Sequence, residues 1–428
     1  MVDKRPQVIV RCAGVADVRE AVAFARERGL PLAVRGGGHN AAGAAVCDDG
    51  VMVDLSLMRS VRVDPGIGAV RAEGGVTIGD LDHETQPFGL AVPMGVVTET
   101  GIAGLTLGGG YGWLRRKHGL SCDALVSADV VTADGELVTA RAGEHPELLW
   151  ALKGGGGNFG VVTSLEYQAF PVGPEVYFAF VVHAGADAPE ALRSYRGWAL
   201  GAADEVSSFA ILWHAPELEQ IPAEHHGRPI VLFLAMHCGS PDEGQAALQP
   251  LRDLGRPIAD LSGVMPYLEV QRFFDEDYPA HTMRYYWTST YLRELSDPAI
   301  AVLIELNEAS PTPESTLDVW QLGGRFARVP SSDTAFGDRS APFHIGIEAN
   351  WEHPADDERA IAWARKAVRD LAPFATGAQY LNFPGADESP EQSVRGAFGD
   401  NLARLVAVKR RYDPDNLFRL NSNIDPSW

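Results

Sequence analysis

The chain has 428 residues, 46% of them hydrophobic and 22% charged, with a formal net charge of −21 at pH 7. That length calls for two domains rather than one core, and the composition is that of a globular chain, which excludes disorder. The negative balance excludes nucleic acid and anionic membrane surfaces as partners, because both require clustered Lys and Arg.

Residues 8–14 read as a short buried strand and residues 15–30 as a helix, with Val18, Val22 and Ala25 on one face and Gly29 as its stop. Residues 31–35 form the next strand, RGGGHN (35–40) a glycine loop, and residues 51–56 a further strand after the CDDG turn at 47–50. Gly36, Gly37 and Gly38 let backbone N–H groups approach something bulky and anionic, and His39 then meets whatever those amides hold. Gly36 and Gly38, with Asp54 on the following strand, superficially copy a dinucleotide fingerprint. The spacing refuses it, since a parallel crossover needs a helix and only residues 41–46 lie between loop and turn.

Residues 61–76 suggest a hairpin, and residues 77–89 a short helix closing at Gly89. In the stretch 100–123, seven of 24 residues are glycine, too many for a helix interior at about 1 kcal/mol each. Leu105, Leu107, Tyr111 and Trp113, interleaved with those glycines, point instead to a backbone wrapped round a large flat ligand. Residues 124–140 form a hairpin through Ala133, Asp134 and Gly135, and residues 146–170 run helix, glycine loop, strand. The G-x-G-x-x-G at Gly155, Gly157 and Gly160 has the reversed order for a nicotinamide fingerprint, because a helix precedes it and a strand follows.

The texture changes at residues 171–174, where a domain boundary is expected. Strand-like segments follow at 176–184, 207–215, 229–239, 284–292, 316–324, 343–351 and 378–383, with helical pieces such as 357–374 between them. This is an antiparallel sheet covered by helices. A basic helix from Asn401, stopped at Asp413 and Pro414, and an asparagine-rich tail close the chain. Neither an apolar leader nor a run of 18 apolar residues occurs, so export and a membrane span are not expected. Cys12, Cys47, Cys122 and Cys238 are widely separated, which suits a reduced cytoplasmic setting and gives no metal site.

RGGGHN (35–40), TGIAGLTLGGGYGW (100–113), ADVVTADG (128–135), LLWALKGGGGNFGVVT (148–163) and YDPDNLFRLNSNI (412–424) lie in order over nearly the whole chain. Together they resemble the FAD-linked oxidases of the berberine bridge enzyme-like group, within the vanillyl-alcohol oxidase or PCMH-type flavoprotein superfamily. The resemblance implies an α+β fold with a PCMH-type FAD-binding domain of two small parts over residues 1–172. It also implies a substrate domain over 173–394, whose antiparallel sheet roofs the isoalloxazine ring, and a segment 395–428 returning to the first domain.

On the same resemblance His39 bonds the flavin 8α carbon, a role open to a neutral imidazole. Many relatives add a bond from a cysteine to ring carbon C6. That position here is Val97, so Cys122 is a buried bystander and one covalent link is expected. Amides of Arg35, Gly36, Gly37, Gly38, Asn40, Gly101, Gly104, Leu107, Gly108, Gly109 and Gly110 are expected to hold the phosphates. Asp123, Gly160 and Val162 join the cofactor site, and Asn421 and Asn423 face the ring or its polar edge. Tyr412, Asp413 and Pro414 only stop the helix.

The implied reaction moves a hydride from a CH–OH or CH–NH carbon to the flavin while a base or water takes the neighbouring proton. Tyr380 is the first choice of base, with His344 and Glu348 as further candidates. Gly346 stands where relatives often carry an acid or glutamine. Tyr380 and Asn382 are expected to point together from one strand, with Asn382 and Trp320 on the substrate and Tyr285, Tyr286, Trp287 and Phe343 completing an aromatic pocket. Thr100 is small enough to admit O2. The expected partners are a small-molecule substrate and O2, with the protein a monomer or homodimer. A flavin dehydrogenase using another acceptor, and a flavin-binding protein without oxidase activity, stay open. Relatives usually carry a helical lead-in before residue 8, so the chain is expected to begin late.

Overall fold

The computed structural model describes residues 2–279, 282–383, 385 and 390–428. Strand Val8–Arg11 leads into helix Val15–Arg28, whose Val18, Ala21, Val22 and Ala25 are buried at helical spacing. Gly29 ends the helix at φ 63, a conformation glycine adopts without a Cβ clash. Both Val8–Arg11 and Leu32–Arg35 pair in parallel with Val51–Asp54. This corrects the expectation that a parallel crossover here needs a helix. Residues 36–50 make the crossover as turns alone, which is possible because the joined strands are only four residues long and a short loop returns past them. The dinucleotide fingerprint stays absent, since no helix opens behind the glycines.

Five antiparallel strands follow, ordered Val61–Asp64, Ala69–Glu73, Val161–Gln168, Leu125–Val131, Leu137–Arg141. Helix Ile78–Thr85 starts on a capping box between Thr77 and Asp80, and Gly89 closes the turn beyond it. The stretch 100–123 is a further correction, because helix Ile102–Leu107 forms with Gly104 inside it. Burial of Ile102, Ala103, Thr106 and Leu107 outweighs the cost of roughly 1 kcal/mol for that glycine.

Helix Leu402–Tyr412 packs Leu405, Val406 and Val408 into the same core as Val130, Leu148 and Leu165, so the C-terminal segment returns to the first part of the chain. Asp413 does more than stop this helix. Its carboxylate takes Lys409 Nζ at 2.6 Å, both side chains fully buried, and accepts the N–H groups of Leu417 and Phe418. Lys409 also donates to the carbonyls of Asn158 and Phe418, so one buried cation ties the helix, the 154–160 loop and the tail. Asp413→Ala is expected to cost about 3–5 kcal/mol by stranding that cation, read as a lower denaturation midpoint; a loss under about 1 kcal/mol would contradict this role.

Leu90–Ala91 and Phe170–Pro171 pair by themselves, and the strands from Glu175 onward form one antiparallel sheet, ordered Ala259–Asp260, Glu175–Ala184, Pro229–His237, Val206–His214, Thr316–Gln321, Phe343–Trp351, Arg284–Leu292, with Gly263–Pro266 also beside Glu175–Ala184. Helices Ala188–Gly201, Pro241–Arg252, Asp297–Glu308 and Asp357–Leu371 bury one face through Tyr195, Leu248, Leu303 and Trp363. Alternate residues such as Phe209, Leu232 and Trp320 turn to the other face and meet Tyr111, Trp113 and Tyr380. Buried Arg115 locks the two parts together by donating to the carbonyls of Gly112, Ser208 and Gln321.

One expected strand does not form. Residues 378–383 are coil and turn, with an isolated bridge from Ala375 to Leu292 just ahead of them. Side chains hold them instead, as Asn382 Nδ2 donates to Tyr380 Oη and to the Leu105 carbonyl. No described helix is long and apolar enough to cross a membrane.

Candidate active site

A cavity of about 630 Å³ runs between the glycine segments and the face of the large sheet that carries Phe209 and Trp320, within the range of small-molecule sites. Its cradle end includes Gly36, Gly38, His39 and Asn40, then Gly104, Leu107 and Gly108, then Gly160 and Val162, with Asn421 from the tail. Its far end includes Tyr278, Trp287, Asp318, Trp320, Glu348 and Tyr380.

Gly38 turns the chain at φ 77, which presents His39 to the cavity. Lost hydration holds the His39 pKa below 6.5, against the opposing pull of Glu99 and Asp275, so the imidazole is neutral at pH 7 and its ring nitrogen is free to act as a nucleophile. Val97 and Thr100 border the cavity. Cys122 does not; it is fully buried, and burial pushes its thiol far above the ordinary range.

Several expected cofactor contacts lie behind the wall. Gly37 and Gly101 stand back to back, where a Cβ on either would strike the other's backbone. Gly109 makes room for the Phe336 ring and Gly110 for Ser121. These four are glycines of close packing. Asp123 is likewise removed from the cavity, because Arg339 holds it at 2.7 Å with both side chains 3% exposed. Arg35 packs its guanidinium across Gly38 and is not part of the lining; nor is Asn423.

Asn421 Oδ1 is buried without a hydrogen-bond partner and its residue lines the cavity, while its Nδ2 donates to the carbonyls of Gly157 and Phe418. An orphaned acceptor in the wall calls for a donor from a ligand. At Gly104 an added Cβ would meet nothing within 4 Å, so the cradle has open width along this segment. An elongated cofactor with an N–H on a flat ring fits these residues.

At the far end Tyr380 Oη accepts from the backbone N–H groups of Gly110 and Tyr111, both at 3.3 Å, and from Asn382 Nδ2 at 3.0 Å. Burial outweighs these donors and pushes its pKa to about 12, so the phenol keeps its proton at neutral pH. His344 is corrected as a cavity residue. It shares the Glu348 face of its strand but lies within the aromatic layer, with ring centroids 4.9 Å from Tyr291, 5.3 Å from Tyr111 and 5.5 Å from Tyr380. Neither ring nitrogen has a partner, and burial lowers its pKa to about 3, which keeps it neutral. Tyr286 and Phe343 are also corrected, since they pack on the helix-covered face.

Glu348 Oε2 accepts the Tyr278 hydroxyl at 2.5 Å. Burial, followed by the neighbouring Asp318, raises its pKa well above the carboxylate range, and burial raises Asp318 to about 7. Sequence reasoning missed Asp318 and Tyr278. A signal for Asp318 existed, because it stands two residues before Trp320 and shares its strand face.

Residues 6–141 match the family described as FAD binding domain, and residues 379–425 the family described as Berberine and berberine like. The chain is 31% identical to FAD-linked oxidoreductase YgaK of Bacillus subtilis (strain 168), over 99% of this chain and 92% of that one. It is also 31% identical to (R)-6-hydroxynicotine oxidase of Paenarthrobacter nicotinovorans, with the same coverage of both chains. The crystal structure of 6-hydroxy-D-nicotine oxidase from Arthrobacter nicotinovorans superposes with a TM-score of 0.88 at 30% identity, covering 99% of this chain and 93% of that one. The glycine-lined cavity and full-length likeness meet in one conclusion: this chain belongs to the FAD-linked oxidoreductases of the berberine bridge enzyme-like, PCMH-type group.

Proposed function

We propose that this protein is an oxidase whose FAD is bonded through His39 alone, and that it removes a hydride from a CH–OH or CH–NH carbon, with O2 as the final acceptor. The observation that carries this reading is a single cavity joining His39 and the glycine cradle to a buried acid and phenol at its far end. FAD supplies the two-electron acceptor there. Gly36, Gly38 and Gly108 would line the cofactor, and Asn421 would offer it its unpartnered oxygen. Tyr380 hydrogen-bonds the substrate beside the reacting carbon and so orients the carbon that loses hydride. Glu348, set by Tyr278, exchanges the substrate proton. Trp287 and Trp320 exclude water from the reacting face. Thr100 leaves room for O2 beside it. The four free, buried cysteines fit a reduced cytoplasmic setting.

The test is anaerobic loss of the oxidised flavin's visible absorbance across a panel of amines, alcohols and oligosaccharides, followed by admission of air. An oxidase bleaches with one class and regains its colour in air with stoichiometric H2O2. Recovery only with an added dye would make it a dehydrogenase, and no bleaching by any class would leave a binding protein.

A further inference from the structure

Asp318 enters the cavity from the strand beside Phe343–Trp351 and sits directly across from Gly346 in the ladder. A Cβ on Gly346 would touch Asp318 Cβ and Phe383 Cε2, both at 3.4 Å, and Glu348 Oε1 at 3.5 Å, so the space the glycine vacates is bounded by the two carboxyl-bearing side chains and the Phe383 ring. The neighbouring Asp318 carboxyl adds to burial in holding the Glu348 pKa up. Both residues are buried, 5% and 3% exposed, and Asp318 Oδ1 has no hydrogen-bond partner although its residue lines the cavity.

Among the described residues no permanent cation answers this pair. Lys4 and Arg419, which also line the cavity, donate to the carbonyls of Gly43 and Asn416 at the cradle end and in the tail. The walls near the acids are aromatic, with Trp287 edge-on to Tyr278 at 5.4 Å and Trp320 on the Asp318 strand. Faces of this kind attract cations.

We infer that Asp318 and Glu348 together form an ammonium subsite: Asp318, reaching from the neighbouring strand into the space left by Gly346, binds the substrate's protonated nitrogen through its unpartnered oxygen, and the pair removes one proton from it. The inference rests on the oxidoreductase reading above and assigns its substrate class as aromatic or apolar amines. Two carboxyls in contact hold one proton between them near neutral pH, with one negative charge, and burial of both supports that state. The proton transfer balances simply. One N–H bond of the ammonium breaks and one O–H bond forms on the pair, giving a neutral amine and two neutral carboxyls, with no change of oxidation state. Only the neutral amine has the lone pair that becomes the C=N bond as hydride leaves the carbon for FAD. A neutral sugar would leave Asp318 Oδ1 facing no charge.

The experiment compares benzyltrimethylammonium with its uncharged isostere, 2,2-dimethylpropylbenzene, as ligands of the holoenzyme. Neither can be oxidised as an amine, and binding is read from the shift of the flavin absorbance and by calorimetry. The cation is expected to bind at least tenfold tighter, and Asp318→Asn is expected to abolish the preference. Equal binding of the two probes by the unsubstituted protein overturns the inference without recourse to any variant, as does a folded Asp318→Asn protein that keeps the preference. Bleaching by an oligosaccharide with no cation preference removes the subsite and leaves the oxidoreductase reading standing. Cation preference with no amine that bleaches the flavin does the reverse.

Discussion

His39→Ala is expected to move the yellow colour from the acid-precipitated pellet to the supernatant. The imidazole borders the cavity, lost hydration keeps it neutral, and Gly38 at φ 77 aims it there. Cys122→Ser is expected to leave the colour in the pellet, since that thiol is buried off the cavity and Val97 occupies the wall in its stead. The readout is all or none and separates one anchor from two. Colour retained by His39→Ala, or released by Cys122→Ser, would overturn the assignment. Loss of the bond is also expected to make the flavin a weaker oxidant, so the unanchored protein, reconstituted with FAD, should bleach more slowly with the same substrate.

Glu348→Gln is expected to slow anaerobic bleaching by roughly 10²–10⁴-fold, the usual scale for losing a positioned proton acceptor, with the flavin still attached. The amide preserves the Tyr278 contact but cannot share a proton with Asp318. The pH dependence follows from the raised acids. The pair accepts a proton only when one carboxyl is ionised, so bleaching by an amine should rise with pH through about 7, the value for Asp318.

Stability should move the opposite way. Asp318 folded holds its proton to about 7 against an ordinary 3.8, so the native state binds the extra proton between those values and stability falls as pH rises through them. Asp277, Tyr278 and Thr316 surround the pair, and none supplies positive charge. Asp318→Asn should therefore raise the melting temperature at pH 8 relative to pH 5. An unchanged difference between the two pH values would show that Asp318 ionises freely in the folded protein.

Much of this molecule was legible from local pattern. The alternation in residues 206–214, 229–237, 284–292 and 343–351 marks strands because one face must meet helices and the other the cavity side. The glycine-rich motifs were legible as a cradle, yet their members divide in a way no local rule shows. Gly36, Gly38, Gly104 and Gly108 line the cavity, whereas Gly37, Gly101, Gly109 and Gly110 do not and are glycine because backbone or side chains distant in sequence press against them. Gly108 answers to both demands, since it lines the cavity and a Cβ there would strike Asn382. His344 and Glu348 likewise share one strand face, and only the aromatic rings from residues 111, 291 and 380 decide that one is sealed in the core.

The sequence by itself determined the family, the cradle with its histidine, and the antiparallel sheet, since each is written in contiguous residues or in a period of two. Tertiary structure alone decided the helix-free parallel crossover at 36–50, the turn that replaces a strand at 378–383, and the meeting of Asp318 with Glu348 opposite Gly346. The reason is strand register. A carboxylate missing from one strand can be supplied by its neighbour only when pairing sets the two residues side by side, and that pairing joins segments which no local pattern connects.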